Sequence, residues 1–466
     1  MEFDKDLRSK QETRELILAA ENAFQALKRF DQAKIDRIVA AIAEAGKQNA
    51  EMLGQMACEE TGFGNAKDKA EKNRFASERV FEAIKDMKTV GILRKENGIW
   101  DIGVSVGVVA GIVPSTNPTS TVIYKAMIAL KAGSPIVFSP HPGAVKCTQK
   151  AAQIVAQAAY SAGCPQGAIG CISIPTMDAV QELMRHQYTK LILATGGGAM
   201  VKAAYSSGKP AIGVGAGNGP AYIHKSANIA HAVREIIRSK TFDNGTICAS
   251  EQSVIVESSI AQQVQAEFKK QNAYFLSEKE SEQLVKILLR ADGTMNPKIV
   301  GKTACEVARM AGISVQQNTT VLLSIEQDTS RAYSYEKLCP VLAFFIEPDE
   351  DAALKRSIEI LHAEGAGHTF AIHANDEKVI EKFALEVPVS RFLVNTASSL
   401  GGVGYSTKLF PALTLGCGAV GGSSSSNNIG PMDLINIRRV AWGTENAPFD
   451  ASLIDALTEE ILKKLR

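Results

Sequence analysis

Two textures of apolar positions divide the chain. After Asp31, the residues Ile35, Ile38, Val39 and Ile42 recur at i, i+3, i+4 and i+7. That single stripe predicts an amphipathic helix with Asp31 as its N-cap, and the chain reads as helical up to about residue 100. From about Gly103 short β-rich runs alternate with Ala-rich helical segments. VSVGVVAGIV precedes TVIYKAMIALKAG, SPIVFSP precedes a helix over 144–162, AIGCISIP precedes MDAVQELMRHQ, LILATG precedes AMVKAAYSSG, and PAIGVGAG follows. Strands that are apolar throughout, with helices between them, predict a parallel sheet covered on both faces. A second alternation begins near Asn228, with SVIVE, TVLLSI, VLAFFIE, HTFAIHA and RFLVNT as its strands. The pattern predicts an α/β protein of two Rossmann-like parallel-sheet lobes, residues 1–225 and 226–410, with a C-terminal segment 411–466. ILRKENGIWDIG carries Asn-Gly between extended segments, which predicts a protruding hairpin near 91–105.

Composition narrows the function classes. Lys and Arg total 51 against 50 Asp and Glu in 466 residues, a formal net charge of +1. A concentrated basic face is what nucleic-acid or membrane-surface binding needs, so neither partner is expected. The apolar stretches are short and broken by Gly or Pro, and the charged start runs straight into a helical pattern. No transmembrane helix or secretory signal is expected, and the setting reads as cytoplasmic. The eight cysteines, 58, 147, 164, 171, 248, 305, 339 and 417, are scattered. They form no zinc spacing, so no metal is expected, and most read as reduced core thiols.

Cys248 differs from the rest. In FDNGTICASEQSVIVE it lies at the end of a loop, between a turn-forming Asp-Asn-Gly and a strand. A nucleophile needs such access and nearby amides, whereas a structural thiol sits inside an apolar run. PSTNPTST, 114–121, ends a strand and holds a carboxamide, Asn117, between prolines. It reads either as an Asn/Pro turn or as a rigid donor aimed at developing negative charge. TGGG, 195–198, follows a strand and opens a helical segment, either a tight turn or an anion site. The G-x-G-x-x-G at Gly416, Gly418 and Gly421 is rejected as a dinucleotide fingerprint, because GGSSSSNN follows it in place of a helix. Among seven histidines, His368 in EGAGHTFAIH sits at a strand mouth where its ring could face a cleft, and His141 in SPHP stays open.

Together these motifs resemble the aldehyde dehydrogenase superfamily, and more closely its CoA-acylating branch, over nearly the whole chain. FDNGTIC resembles the nucleophile motif. PSTNPTST resembles the strand-end motif with the oxyanion-hole asparagine. EKLCPVLAFF, from Glu336, resembles the Glu-x-x-Gly-Pro-Val motif whose glutamate holds the nicotinamide ribose, with Cys339 replacing the glycine. Hydrolytic members carry a water-activating glutamate in a Glu-Leu-Gly-Gly-Lys-x-Pro segment; aligned on Pro220, that position here is Val214. The lysine that usually holds the adenosine ribose is Ser139.

The resemblance implies a nucleotide-binding lobe followed by a catalytic lobe, with Cys248, Asn117 and His368 as catalytic residues. It implies NAD or NADP as cofactor, held by Pro114, Ser115, Thr116, Ser139, Pro140, Thr195, Gly196, Gly197, Gly215, Glu336 and Leu338. Coenzyme A is the implied co-substrate, taking the acyl group that water takes elsewhere. Acetaldehyde is the first expectation from the bare length of the chain, with propanal, butanal and sulfoacetaldehyde as alternatives. A hydrolytic dehydrogenase and a non-enzymatic binding protein are the competing readings. The hairpin implies a homodimer or homotetramer.

Overall fold

The computed structural model describes residues 4–443 and 451–465. Its helices α1 (Lys5–Leu27), α2 (Gln32–Gln48), α3 (Ala50–Thr61) and α4 (Ala66–Arg74) follow one another, and a π-helical turn, Phe75–Arg79, carries α4 into α5 (Val80–Ile84). Asp31 caps α2 as the pattern predicts, its side chain accepting from the Lys34 N–H at 2.9 Å. The stripe Ile35, Ile38, Val39 and Ile42 is fully buried. Next come the hairpin strands β1 (Gly91–Glu96) and β2 (Ile99–Ser105), paired antiparallel. Asn97 and Gly98 between them have φ of 49° and 72°, the two positive values that a type I′ turn requires.

The first parallel sheet contains β3 (Val108–Ile112), β4 (Ile136–Ser139), β5 (Ile169–Cys171), β6 (Thr189–Thr195) and β7 (Ala211–Val214) in the order β5-β4-β3-β6-β7. Helix α6 (Pro118–Lys131) links β3 to β4, and α7 (Val145–Ser161) links β4 to β5. Every residue of β3 is buried, as a continuous apolar run demands, with separate cores on the two sheet faces. The chain leaves β3 toward β4 on one side and toward β6 and β7 on the other. The crevice beyond the carboxyl ends of β3 and β6 is therefore a topological switch point, where ligands of open α/β sheets bind. Lys125 ties those ends together. Its buried ammonium donates to the carbonyls of Ile112 and Leu193, both at 2.8 Å, and burial pushes its pKa down to about 7.

The second sheet contains β8 (Gly219–Ile223), β9 (Glu251–Glu257), β10 (Tyr274–Phe275), β11 (Leu322–Glu326), β12 (Val341–Glu347), β13 (Gly367–His373) and β14 (Val389–Val394). All neighbours are parallel, in the order β10-β11-β12-β9-β8-β13-β14. The change of sheet falls between Val214 and Gly219, ahead of the junction expected near residue 225. The reason is that GPAYI pairs with β9 and β13, so it opens the second lobe.

The C-terminal segment stitches these parts together. Ser424 and Ser423 donate their hydroxyls to the carbonyls of Ala211 and Gly213 at 2.7 and 3.0 Å, covering the edge strand β7. Arg391 on β14 donates to the Gly416 carbonyl at 2.7 Å, and Tyr124 on α6 to the Ile429 carbonyl. Strand β15 (Ile435–Ala441) then pairs with β2, completing a three-stranded sheet β1-β2-β15. Among the described residues, no helix is long and apolar enough to cross a membrane.

Candidate active site

At the switch-point crevice of the first sheet lies a cleft of about 150 Å³, walled by Pro114, Ser139, Pro140, Thr195, Gly196 and Gly197 together with apolar side chains. Two of its hydroxyls, Ser139 Oγ and Thr195 Oγ1, are buried without a hydrogen-bond partner. A buried unpaired hydroxyl costs free energy that a polar ligand recovers, and the flanking prolines and Met177 offer flat apolar walls. The hydroxyls and flat walls suit one part of the dinucleotide implied by the resemblance, the rest of which would lie outside this cleft. Gly197 caps the helix Gly198–Tyr205 with no side-chain bond, and a Cβ at Gly196 would touch only Met200. The backbone there stays open to an approaching group.

The loop after β3 leads from this cleft to Asn117. Ser115 is half-buried in it, and Thr116 accepts from Asn117 Nδ2 at 3.1 Å. Asn117 is the N-cap of α6, and Pro118 at the first helical position fixes the entry angle. Its carboxamide oxygen accepts from Lys72 Nζ at 2.5 Å. Lys72 also donates to Asp243 Oδ2 at 2.5 Å and Thr246 Oγ1 at 2.9 Å, while Lys69 donates to Asp243 at 3.0 Å and to the Thr116 carbonyl at 2.9 Å. Both lysines and Asp243 are almost fully buried.

Asp243 and Thr246 belong to the loop that carries Cys248. Asp243, Asn244 and Gly245 have φ of 47°, 52° and 79°, three consecutive left-handed residues. Asp, Asn and Gly are the residue types that tolerate this region, which explains the Asp-Asn-Gly before the cysteine. The reversal delivers Cys248, half-buried, just ahead of β9, at the amino end of the second sheet. Gly217 packs flat against it: a Cβ there would lie 1.9 Å from the Cys248 carbonyl oxygen. The Gly217 N–H donates to Glu336 Oε1 at 2.9 Å, which brings Glu336 to the same spot.

Electrostatics follow from burial. The Cys248 thiol is pushed up to about 12, first by burial and then by the Glu336 carboxylate, with Arg391 pulling the other way. Burial pushes Glu336 up to about 8 despite the Gly217 hydrogen bond. His368 is held down at about 3 by burial and by the Arg391 charge, so its ring is neutral. Its Nδ1 pairs with Thr369 Oγ1 at 2.8 Å, and its Nε2 is buried without a partner. Among the described residues, no group of three or more His, Cys, Asp or Glu side chains is placed to hold a metal ion.

Residues 6–407 match the Aldehyde dehydrogenase family. The chain belongs to the aldehyde dehydrogenase family. It is 44% identical over 426 residues to the bifunctional aldehyde-alcohol dehydrogenase of Escherichia coli K12, covering 90% of this chain and 48% of that one. This chain thus spans about half the length of that relative. The crystal structure of an acetylating aldehyde dehydrogenase from Geobacillus thermoglucosidasius superposes with a TM-score of 0.94 at 51% identity, covering 96% of this chain and 99% of the other. The propionaldehyde dehydrogenase of Rhodopseudomonas palustris with bound propionyl-CoA gives 0.85 at 28% identity, over 92% of this chain and 94% of its own.

In this family member the expected site residues fall into two groups. Pro114, Ser139, Pro140, Thr195, Gly196 and Gly197 line the cleft on the first lobe. Asn117 lies at the start of α6, and Cys248, Glu336 and His368 lie at the amino ends of strands of the second sheet. Gly215 lies in the loop between β7 and β8, its N–H near the Cys417 sulfur. Leu338, at φ 43°, is buried, and its carbonyl accepts from Gly301 N–H at 2.9 Å. One expectation changes: His368 does not line an open strand mouth but is fully enclosed, because the 416–421 loop packs over Gly367. Sequence reasoning missed Lys69, Lys72, Asp243 and Arg391. AKDKAEKNR carries the charge density of a hydrated helix, and Asp243 read only as a turn former.

Proposed function

We propose that the protein is an NAD(P)-dependent, CoA-acylating aldehyde dehydrogenase that interconverts a short aldehyde plus CoA with acyl-CoA, acetaldehyde first among the substrates. The observation that carries this reading is the pairing of the Cys248 loop with the anchored Asn117 amide, while the position of the water-activating glutamate holds the buried, apolar Val214. The Cys248 thiolate attacks the aldehyde carbon, and the resulting oxyanion is held by Asn117 Nδ2–H and the Cys248 N–H. The 114–116, 139–140 and 195–197 loops, with Gly215, Glu336 and Leu338, would hold a nicotinamide dinucleotide, which would supply the hydride acceptor for the carbon attached to Cys248. The acyl group then remains on Cys248 as a thioester. The CoA thiolate displaces Cys248 sulfur from the acyl carbon, and the same Asn117 and Cys248 donors hold the second oxyanion. His368, with an unpartnered Nε2, is the candidate acceptor for the CoA thiol proton, a role that requires the 416–421 loop enclosing it to open to CoA.

The acylating and CoA-bound relatives support the assignment. With no carboxylate at 214, nothing there activates water on the thioester, which disfavours a hydrolytic enzyme. The test is NAD(P)H formation from acetaldehyde, propanal, butanal and sulfoacetaldehyde, with and without CoA. CoA-dependent acyl-CoA production is expected, and CoA-independent turnover to free acid refutes the proposal. The first sheet with α1–α7 serves as the nucleotide-binding lobe and the second as the catalytic lobe. The sheet β1-β2-β15 exposes Ile92, Ile99, Ile437 and Trp442, a surface suited to pairing two copies into a homodimer or homotetramer. Sedimentation checks this, and a strict monomer refutes it. Eight free cysteines fit a reducing cytoplasm.

A further inference from the structure

We propose that Lys72 is a positioning residue for the oxyanion donor: it locks the Asn117 carboxamide with its N–H groups toward the substrate and ties it to the nucleophile loop. The inference rests on the oxyanion reading of Asn117 above. An ammonium only donates, so the atom of Asn117 facing Lys72 must be the carboxamide oxygen. Nδ2 then points the other way, with one N–H on Thr116 Oγ1 and the second left for a ligand. The three ammonium protons match three acceptors, Asn117 Oδ1, Asp243 Oδ2 and Thr246 Oγ1. Two of those acceptors lie on the loop that delivers Cys248. One side chain thus spans both sources of oxyanion donors, the Asn117 amide and the Cys248 backbone.

A purely structural ion pair would need less. Lys69 already contacts the buried Asp243 carboxylate, and Thr246 Oγ1 donates to it at 2.7 Å. Asp68 faces the same cluster, accepting from the Asp243 N–H at 2.7 Å. Lys72 is the second buried cation on one carboxylate, and it alone of the two reaches the Asn117 side chain. A positive charge on the amide oxygen also polarises the amide and strengthens its N–H as a donor. Lys69 and Lys72 share one face of α4 at i and i+3, so one fixes the Thr116 backbone and the other the Asn117 side chain.

The test compares two reactions of Cys248 that need neither cofactor. Acylation by p-nitrophenyl acetate passes through an oxyanion, whereas alkylation by iodoacetamide at a saturated carbon does not. Lys72→Met is expected to slow the acylation burst about 10- to 100-fold and to leave alkylation near the wild-type rate. In an Asn117→Ala background, Lys72→Met should add little further loss, because the two act as one unit. Lys72→Gln, which keeps a neutral donor, should fall between. Equal slowing of both reactions, additive losses, or an unchanged burst in Lys72→Met would overturn the inference. If Lys72→Met fails to fold, Lys72→Gln decides, and a wild-type burst in that variant overturns it. An Asn117→Ala variant that acylates at the wild-type rate overturns the oxyanion reading itself, and this inference with it.

Discussion

Gly217→Ala probes the closest backbone approach in the site. A Cβ at that position would lie 1.9 Å from the Cys248 carbonyl oxygen and 2.8 Å from its carbonyl carbon, where real Cβ contacts stay above 3.0 Å. Something must recede by about 1 Å, a displacement of the size that costs on the order of 100-fold in rate at a reacting centre. Gly217 itself is held: its N–H binds Glu336, and the neighbouring Asn218 side chain donates to the Ser334 carbonyl at 2.5 Å. The Cys248 loop is therefore the part that shifts, carrying its sulfur and N–H with it. A 100-fold loss corresponds to about 2.7 kcal/mol of barrier. Overpacking should also destabilise the fold by roughly 1–3 kcal/mol. The assay is the stopped-flow p-nitrophenolate burst, normalised to thiols counted by iodoacetamide labelling, with a thermal melt alongside. A wild-type burst rate at an unchanged melting temperature would show that no such contact constrains the nucleophile.

Other substitutions test separate features. Glu336→Gln should not change the iodoacetamide rate below about pH 8, where the native carboxyl is protonated and uncharged. Above it the native carboxylate opposes the Cys248 thiolate, so the variant should react faster; an equal rate at all pH refutes that coupling. Lys125, pushed down to about 7 when folded, is protonated up to about 10.4 when unfolded. The unfolded chain thus holds the extra proton in that window. Wild type should gain melting temperature relative to Lys125→Met as pH rises from 7 toward 10, and a constant gap refutes the burial effect. Arg391→Leu strips donors from the carbonyls of Gly367, His368 and Gly416 and should destabilise by roughly 3 kcal/mol or more, read by denaturant unfolding. Stability within a few tenths of wild type would refute it.

What was legible in the chain was local. Asn97-Gly98 announced its hairpin because two positive φ values need those residue types, and Asp31 its helix because a carboxylate caps free N–H groups. The Cys248, Asn117 and Glu336 motifs were readable because each is a short loop tied to the strand or helix beside it. The Lys72–Asp243 pair was not, since its partners are 171 residues apart and each alone looks solvated. Only tertiary packing turns that helix face inward. The sheet boundary was missed for a similar reason: nothing in GPAYI says which neighbours it will pair with. The burial of His368 was hidden too, because the loop that encloses it arrives about 50 residues later.

The C-terminal stitching has a consequence for truncated chains. Residues after Leu415 cover the edge of β7, brace Arg391 and supply the third strand beside β2. A chain lacking them leaves His368 uncovered and the hairpin without its last neighbour. Chains truncated near residue 410 should therefore carry a protease-sensitive arm, and limited proteolysis against the full chain checks it.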